Sequence, residues 1–483
     1  MKKLFLFSLL CFLFISSNAQ RYLPYINDQG KYGFRDSLFN VLIKPEFNVV
    51  GEFHEGLARV NIGTTFNRET FVTTFGKYGY IDQKGNKIIP IKYDYATDFS
   101  EGFASVKQET KWGFIDKSGK EITAFVYDTV GDFSNGRACV VRDDLYGFID
   151  ITGKEIIPLI YEYDSFYMLS HFKEGFAHTK KNGLFGFIDI AGNEVVPAKY
   201  SFTGDFNEGL AAVNAGWGTK WGKSGYVNYV GKEVIPLKYI SSEGFSEGFG
   251  AVAVKNERND LKWGFVDKAG KEITPLIYDT IGFFNEGMAC VVKGLKYGFI
   301  NKTGKEVIAL KYDYDKMNML SYFNNGLAQV KSKGLFGFVD KSGKEVVRPK
   351  YTYIEDFYEG MAMVNIGFNY SRKTSKYIDG KNGYINHFGE EVIPPKYSNA
   401  QFFSEGLAAV SIVDANGEEK WGFIDKTGKV MIPFRYDNVL SGFVNGRAKV
   451  YMNSVNNVQF IYKNGNTFFD EDSEKDDDDD DDD

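Results

Sequence analysis

Residues suited to acid–base catalysis or metal binding are few in this 483-residue chain. Its only four histidines share no common sequence context and none lies in H-E-x-x-H spacing. The chain contains neither a G-x-S-x-G elbow nor a phosphate-binding G-x-x-x-x-G-K-[ST] loop. Because a catalytic site needs several convergent groups, we expect no enzymatic activity, no cofactor and no metal site. The histidines are His54, His171, His178 and His387.

A series of aspartates is a second set of candidate ligands, since each is followed three residues later by glycine. Stacked carboxylates could bind Ca²⁺, but each copy supplies a single acid, and Asn replaces it at 228, 301 and 386. Asn and Asp both cap tight turns, whereas only Asp carries charge. The pattern therefore predicts turns. The aspartates are Asp82, Asp116, Asp150, Asp189, Asp267, Asp340 and Asp425.

Aromatic residues, 17% of the chain, are the remaining candidates for ligand contact. Trp112, Trp263 and Trp421 recur in one motif, and such regular spacing favours core packing over a ladder of stacking platforms. The two longest loops, 61–76 and 365–382, both open with "NIG" and combine aromatic with basic residues. They suit sugar stacking, peptide capture or anion binding, although a variable surface loop is an equally simple interpretation. The candidate ligand-binding residues are Phe66, Arg68, Phe71, Phe368, Tyr370, Arg372 and Lys373.

The elements that position these residues are copies of one repeat. Its anchor is the glycine of a W/Y-G-F/Y triplet, and successive anchors are 34, 39 or 46 residues apart. A fixed period in this range indicates a repeat architecture. The eleven anchors are Gly33, Gly79, Gly113, Gly147, Gly186, Gly225, Gly264, Gly298, Gly337, Gly383 and Gly422.

Each repeat predicts three short strands, as residues 111–141 illustrate. "KWGFID" alternates between two faces, "DKSG" forms a turn with Gly119 at positive φ, and two further apolar strands follow. Helical periodicity is absent after residue 20. A glycine inside a strand marks close approach of another backbone, so we expect Gly113 and its equivalents to lie where one repeat packs against the next.

The sequence Lys111-Trp112-Gly113-Phe114-Ile115-Asp116, with its copies across 31–450, resembles the WG (KWG) repeat family of bacterial β-repeat proteins. Several copies depart from the motif: Tyr or Phe replaces Trp in some, and Ser224 and Asn382 lack the aromatic ring. The resemblance implies a repeat scaffold with exported or interaction roles and no catalytic residues.

We therefore predict an all-β fold, an elongated or superhelical array of eleven three-stranded antiparallel units. A propeller-like closed ring is the alternative, although propellers have four to eight blades. The array spans 20–469 with degenerate terminal caps, the last of them a lone hairpin at 458–469. Cys139 and Cys290, at equivalent positions of two distant units, are expected to be buried thiols rather than a disulfide.

Both ends of the chain differ from the array. Residues 1–19 combine Lys2 and Lys3 with an apolar run, which predicts a signal peptide cleaved after Ala19. Leu10 precedes Cys11 where a lipobox has a small residue, so we expect no lipid anchor. The tail 470–483 holds twelve acids and one lysine, and such a segment stays disordered.

These features predict a secreted or periplasmic protein that binds a protein or polysaccharide of the cell envelope through surface loops, without catalysis. A structural spacer or surface component without a discrete ligand is the alternative, and an enzyme is less favoured. We expect a monomer with no nucleic-acid partner and no membrane span after cleavage of the signal.

Small-angle X-ray scattering distinguishes the two predicted arrangements of the repeats. An open array gives a maximum dimension well above that of a compact sphere of the same mass, because each unit contacts only its neighbours. A maximum dimension no larger than that of the sphere would contradict the open array.

Overall fold

The structure is a computed structural model that describes residues 22–27, 29–36, 40–67, 72–163, 171–216, 222–315, 320–371, 376–378, 380–444, 446–452 and 457–466. The predicted signal peptide 1–19 and acidic tail 470–483 lie outside the described residues. The chain divides into two compact units, Met1–His171 and Phe172–Asp483.

The described residues form strands and turns, with no helix among them, and accordingly no described helix has the length and apolarity to cross a membrane. The first unit contains β1 (Leu23–Ile26), β2 (Tyr32–Arg35), β3 (Val41–Phe47), β4 (Val49–His54), β5 (Leu57–Ile62), β6 (Thr65–Asn67), β7 (Val72–Thr74), β8 (Lys77–Asp82), β9 (Lys87–Tyr93), β10 (Tyr95–Ala96), β11 (Phe103–Gln108), β12 (Lys111–Asp116), β13 (Thr129–Val130), β14 (Arg137–Arg142), β15 (Leu145–Asp150) and β16 (Glu155–Glu162).

The second unit continues the same succession of strands. It contains β17 (Phe176–Lys181), β18 (Leu184–Asp189), β19 (Glu194–Tyr200), β20 (Phe202–Asn207), β21 (Leu210–Ala215), β22 (Lys223–Asn228), β23 (Glu233–Tyr239), β24 (Ser241–Ser246), β25 (Phe249–Lys255), β26 (Leu261–Asp267), β27 (Thr280–Ile281), β28 (Met288–Lys293), β29 (Lys296–Asn301), β30 (Glu306–Asp313), β31 (Phe323–Asn324), β32 (Leu327–Ser332), β33 (Leu335–Asp340), β34 (Glu345–Tyr351), β35 (Tyr353–Tyr358), β36 (Met361–Ile366), β37 (Asn369–Ser371), β38 (Lys376–Ile378), β39 (Lys381–Asn386), β40 (Glu391–Tyr397), β41 (Leu407–Val413), β42 (Glu419–Asp425), β43 (Val430–Tyr436), β44 (Asn438–Val444), β45 (Arg447–Met452) and β46 (Asn457–Tyr462).

Neighbouring strands pair antiparallel into main sheets of three or four strands, which confirms the all-β repeat fold. The sheets are offset from the sequence repeats. A four-stranded sheet begins with the strand before the E-G turn, continues with the apolar third strand and the following W-G strand, and ends with the second strand of the next repeat, whereas a three-stranded sheet lacks one of the two outer strands. In β20-β21-β22-β23, for example, Val213 of the third strand lies opposite Gly225 of the W-G strand. Each sheet therefore joins two successive repeats covalently.

The last strand corrects the predicted lone hairpin at 458–469. β46 pairs along its length with β45, in the place that a W-G strand takes elsewhere. At the other end, β1 pairs with β2 in the place of a third strand. The degenerate terminal sequences are thus complete three-stranded sheets, because their backbones can pair even where the motif residues are lost.

The invariant glycine of the triplet also has a different role from the predicted one. A Cβ on Gly147 would lie 2.4 Å from the carbonyl oxygen of Ile157 and 2.7 Å from that of Pro158. These residues belong to the next strand of the same sheet, where the pairing of β15 with β16 is bulged. Equivalent contacts occur at Gly225 and Gly383. The close approach therefore lies within a sheet, not between repeats.

The hydrophobic cores lie between successive sheets. In one of them, Phe299 and Tyr312 of one sheet pack with Phe323 and Val330 of the next. All four side chains are at most 1% exposed. Cys290 belongs to the same cluster and, like Cys139, is a buried thiol outside any disulfide, as the sequence predicts.

The aspartate series forms turns, as predicted. The Asp116 carboxylate accepts hydrogen bonds from the backbone N–H groups of Ser118 and Lys120 at 2.9 and 3.0 Å, and Gly119 has φ +82°. The Ser118 hydroxyl, together with these N–H groups, lowers the pKa of Asp116. Asn228 accepts the same two backbone hydrogen bonds without a charge, which explains why Asn replaces Asp there.

Successive sheets are linked at the E-G turn by a carboxylate. Glu286 accepts hydrogen bonds from the backbone N–H groups of Asn325 and Gly326 in the next turn, at 2.7 and 2.9 Å. Lys341 lies 2.9 Å from the same carboxylate and lowers the pKa of Glu286. Glu286 itself has φ +52°, a left-handed conformation that costs roughly 1–2 kcal/mol in a non-glycine residue. The same link is made by Glu55, Glu101, Glu174, Glu208, Glu247, Glu359 and Glu405.

We expect Glu286→Ala to release the next turn, because two backbone N–H groups lose a charged acceptor, a change of about 1–3 kcal/mol. Hydrogen exchange followed by mass spectrometry should show faster exchange at residues 325 and 326, by at least about tenfold. Glu257→Ala, in the exposed 256–260 turn, is the control and should leave that exchange unchanged. Unaltered protection in the Glu286 variant would contradict the link.

Candidate functional site

The two long insertions are β-hairpins. β6 pairs with β7 and β37 pairs with β38, and each pair forms a two-stranded ribbon outside the main sheets. Each ribbon leaves its own sheet between the third strand and the W-G strand. The described parts of the predicted loops therefore have a regular strand backbone.

A buried asparagine holds the stem of each hairpin. Asn61 is fully buried, and its side-chain oxygen accepts a hydrogen bond from the Thr64 hydroxyl at 2.7 Å. That hydroxyl in turn accepts from the backbone N–H of Gly76 at 2.9 Å. In the second hairpin the side-chain oxygen of Asn365 accepts from the backbone N–H of Phe368 at 3.1 Å. Equivalent asparagines thus lie at the base of both hairpins, and in the first hairpin the hydrogen bonds reach across the stem to Gly76.

Glycines allow the two stem strands to come together. Gly63 and Gly367 have φ +98° and +94°, and a Cβ on Gly380 would lie 2.4 Å from the carbonyl oxygen of Ile366. Both insertions begin with the letters "VNIG", which therefore encode the stem. From the sequence alone these letters marked only the start of a loop. Asn214 occupies the same position before a third insertion, so the same sequence feature occurs in another copy of the repeat.

The predicted ligand-binding residues are only partly described. Phe368 is 43% exposed, at the base of its hairpin. Phe66 and Tyr370 lie in hairpin strands, but their side chains are outside the described residues. Arg68, Phe71, Arg372 and Lys373 are outside the description altogether, so the role of these tips stays a prediction.

The tryptophans pack against the cores. Trp421 is 9% exposed and belongs to a buried cluster with Phe423 and Tyr436. Trp112 and Trp263 are partly buried against the cores of their own sheets. The motif tryptophans therefore serve packing in the first place, as their spacing indicates.

His178 has the partners that a histidine would need for acid–base chemistry. Its Nδ1 lies 2.8 Å from the Thr203 hydroxyl and its Nε2 lies 2.8 Å from the Asp205 carboxylate. The hydrogen bond to His178 is the chief cause that lowers the pKa of Asp205 to about 2. Thr203 is only 7% exposed, so the hydroxyl is poorly accessible to a substrate.

The same pairing without a histidine occurs in another copy of the repeat. Arg59, at the position of His178, lies 2.9 Å from Asp98, at the position of Asp205. A basic side chain on the third strand thus meets an acid on the first strand of the following sheet in both copies. This equivalence favours a structural ion pair over a catalytic group for His178.

A groove of about 600 Å³ lies in the second unit, between the sheets that contain β29, β32 and β35. Its walls carry Tyr322, Tyr353, Tyr358 and Phe402, each 45–51% exposed. The buried Cys290 lies against it, and burial raises the pKa of that thiol to about 12. The groove therefore presents aromatic surface and no activated nucleophilic thiol.

The groove adjoins a turn at which the carboxylate link is lost. Asn325 replaces the glutamate, and among the described residues no hydrogen bond joins its side chain to the next turn at Glu359 and Gly360. Asn324 and Asn325 line the groove on one side and Tyr358 on the other. The sheets are thus less tightly linked where the aromatic side chains are exposed.

No group of three or more His, Cys, Asp or Glu side chains is placed to hold a metal within the described ranges. The arrangement of the groove, with aromatic faces and hydrogen-bonding groups but no such cluster, is suited to binding.

Comparisons with known proteins identify the repeats. A family model described as "WG containing repeat" matches residues 32–63, 78–112, 112–146, 146–185, 185–216, 225–257, 263–297, 297–335, 336–370, 383–412 and 421–455. No curated protein matches the sequence.

Among solved structures, Kluyveromyces lactis Hsv2 matches at 10% identity and a TM-score of 0.27, over 57% of this chain and 93% of that one. The extracellular domain of BT4673 from B. thetaiotaomicron matches at 10% identity and a TM-score of 0.19, over 94% of this chain and 77% of that one. Likenesses this weak carry no argument about function.

The His178–Asp205 pair predicts a pH-dependent stability. The pKa of Asp205 is lowered to about 2 in the folded protein. The contribution of the Asp205 carboxylate to the free energy of unfolding is therefore present at neutral pH, and it is lost as the pH falls from about 4 towards 2. Asp205→Asn should lower the free energy of unfolding by about 1 kcal/mol at pH 7, a value reduced for solvent exposure of the carboxylate.

Urea unfolding at pH 7, 4 and 3 measures this effect. The difference in the free energy of unfolding between the Asp205→Asn variant and the wild type should become smaller from pH 7 to pH 3. Asp132→Asn is the matched control, since Asp132 occupies the same repeat position while Ser105 takes the place of the base. A difference that is the same at every pH would contradict the ion pair.

Proposed function

The chain belongs to the WG-containing-repeat family, and from this premise we propose that it is an exported, non-catalytic scaffold that binds a protein or polysaccharide of the cell envelope. The hairpins at 63–76 and 367–380 are its binding loops. The observation that carries the proposal is the pair of two-stranded ribbons that leave the main sheets beside the buried Asn61 and Asn365.

The stems support binding because they present the tips at low entropic cost. A loop built on a hydrogen-bonded ribbon loses less conformational freedom on binding than a flexible loop of the same length. The main-sheet strands serve the cores, whereas the ribbons pair only with themselves. Their tips are therefore free to take residues that suit a ligand, and the sequence places Arg68, Phe71, Arg372 and Lys373 there.

Aromatic and basic side chains side by side suit sugar rings, which stack on aromatic faces, and anionic groups, which pair with arginine. The same chemistry suits an extended protein segment. Each hairpin offers a small contact area, so each contact is weak, and two contacts on one ligand strengthen binding through effective concentration.

Export rests on the sequence of residues 1–19, which has the pattern of a signal peptide. A structural spacer is the alternative function. It would have the same scaffold and hairpins but no saturable ligand, which a binding assay separates directly.

Deleting 64–74 and 368–379 together should abolish binding to the glycans or envelope proteins that the mature wild-type chain retains on a glycan array and an envelope-protein array. Thermal unfolding and the β-structure of the main sheets should change little, because the deletions remove the ribbons and leave the flanking strands β5, β8, β36 and β39 intact. Shortening the exposed 256–260 turn serves as the control. Equal binding by the doubly deleted chain would place the site elsewhere, and no retention of any ligand by the wild type would favour the spacer.

A further inference from the structure

An apolar stripe runs along the first strands of successive sheets in the second unit. We define it as Tyr322, Tyr353, Tyr358, Phe402, Leu440 and Val444, which are 45–58% exposed. The groove of about 600 Å³ and a second cavity of about 460 Å³ share Glu355 and Phe402. The stripe is thus continuous from Tyr322 to Val444.

The fold does not require these apolar residues. Tyr322 and Phe402 directly precede the buried Phe323 and Phe403, and at the same repeat position Asp205 precedes the buried Phe206. The buried phenylalanine is needed for the core, whereas the preceding residue faces outward and differs between copies. Another copy of the repeat has aspartate at this position, so packing of the core does not explain the exposed aromatic residues found here.

Carboxylates accompany the stripe. Glu355 and Asp356 lie on β35 between Tyr353 and Tyr358, and among the described residues neither is in an ion pair. Asp315 lies 3.9 Å from Lys331, the one cation among the groove residues that the structure describes, and Asp313 pairs with Lys296 outside the groove. Glu355 and Asp356 therefore place negative charge beside the exposed aromatic rings.

The backbone of β35 adds a third feature. β35 is the terminal strand of its sheet, so its outer edge has no strand partner among the described residues. The carbonyl oxygen of Ile354 is already occupied, because it accepts a hydrogen bond from the Gln329 side chain at 2.8 Å. The other backbone groups of such an edge can pair with an extended segment, whose alternate side chains then face the groove.

We propose that the apolar stripe with Glu355 and Asp356 is a docking surface for an extended segment of a partner protein in which lysine or arginine alternates with apolar residues. The apolar side chains cover the aromatic rings, which are the residue types enriched in protein interfaces. The cations meet the two carboxylates and the faces of the tyrosines. At one end the stripe adjoins the second hairpin, since Tyr353 pairs with Asn365 at the base of that hairpin.

The two rings of Tyr358 and Phe402 favour a peptide over a sugar chain. They stack on each other, with centroids 4.7 Å apart and planes 28° apart, so that each has one face already covered. A sugar ring needs a free flat face, whereas an aliphatic side chain can also pack against ring edges.

The test uses the full mature chain and fluorescence anisotropy of three labelled decapeptides that alternate leucine with lysine, serine or glutamate. The lysine peptide should bind most tightly, and raising NaCl from about 50 to about 500 mM should weaken it because the charges are exposed. Tyr322→Ser/Phe402→Ser and Glu355→Gln/Asp356→Asn should each raise its Kd at least about tenfold.

Phe388→Ser is the control for the aromatic pair, since Phe388 is 79% exposed and lines neither cavity. Glu257→Gln is the control for the acids, and deletion of 64–74, which lines neither cavity, should leave peptide binding unchanged, which separates this proposal from the hairpin site. Equal binding of the glutamate peptide, or unaltered Kd in both double variants, overturns the docking surface. A glucosamine hexamer that binds where the lysine peptide does not, and that the variants weaken, overturns the peptide in favour of a cationic glycan.

Discussion

Burial of aromatic side chains between successive sheets is the interaction on which the rest of the structure depends. A sheet of three or four short strands cannot bury its own apolar face, so each sheet is completed by the next. Tyr312 and Phe323 meet in this way, with both rings buried. Short turns at Asp or Asn join the strands of each sheet, and the strand pairing is bulged beside the glycines. These features keep the sheet narrow, so that its faces stay uncovered for contact with the neighbouring sheets.

Polar links set the register of this stacking. The hydroxyl of Tyr312 donates to Glu345 of the following sheet at 3.0 Å, and Lys311 lies 3.0 Å from the same carboxylate. At the opposite end of the sheets, Glu286 reaches the next turn. The left-handed backbone of that glutamate is tolerated because its carboxylate binds two N–H groups. Where Asn325 takes this position, the groove with exposed tyrosines opens beside it.

A scaffold of this kind separates packing from binding. The buried phenylalanines and the Asp or Asn of the turns serve the scaffold, whereas the residue before the phenylalanine and the hairpin tips are not needed for it. Variation at those positions therefore costs little stability. The first unit uses the position before phenylalanine for acids such as Asp98, and the second uses it also for Tyr322 and Phe402. Different surfaces can thus be built on one framework.

The sequence by itself determined the repeats, their strands and their turns, because these depend on alternation, glycine and side-chain caps within a few residues. It also located the hairpins, since additions to a fixed period mark loops. Only the tertiary structure decided that each sheet joins two repeats, that Gly147 faces its own sheet and that residues 457–462 complete the last sheet, because strand pairing connects residues that no local pattern relates. The groove had no sequence signal for the same reason. Tyr322, Glu355 and Phe402 are spread over 80 residues of the chain, and they become neighbours only when the sheets stack.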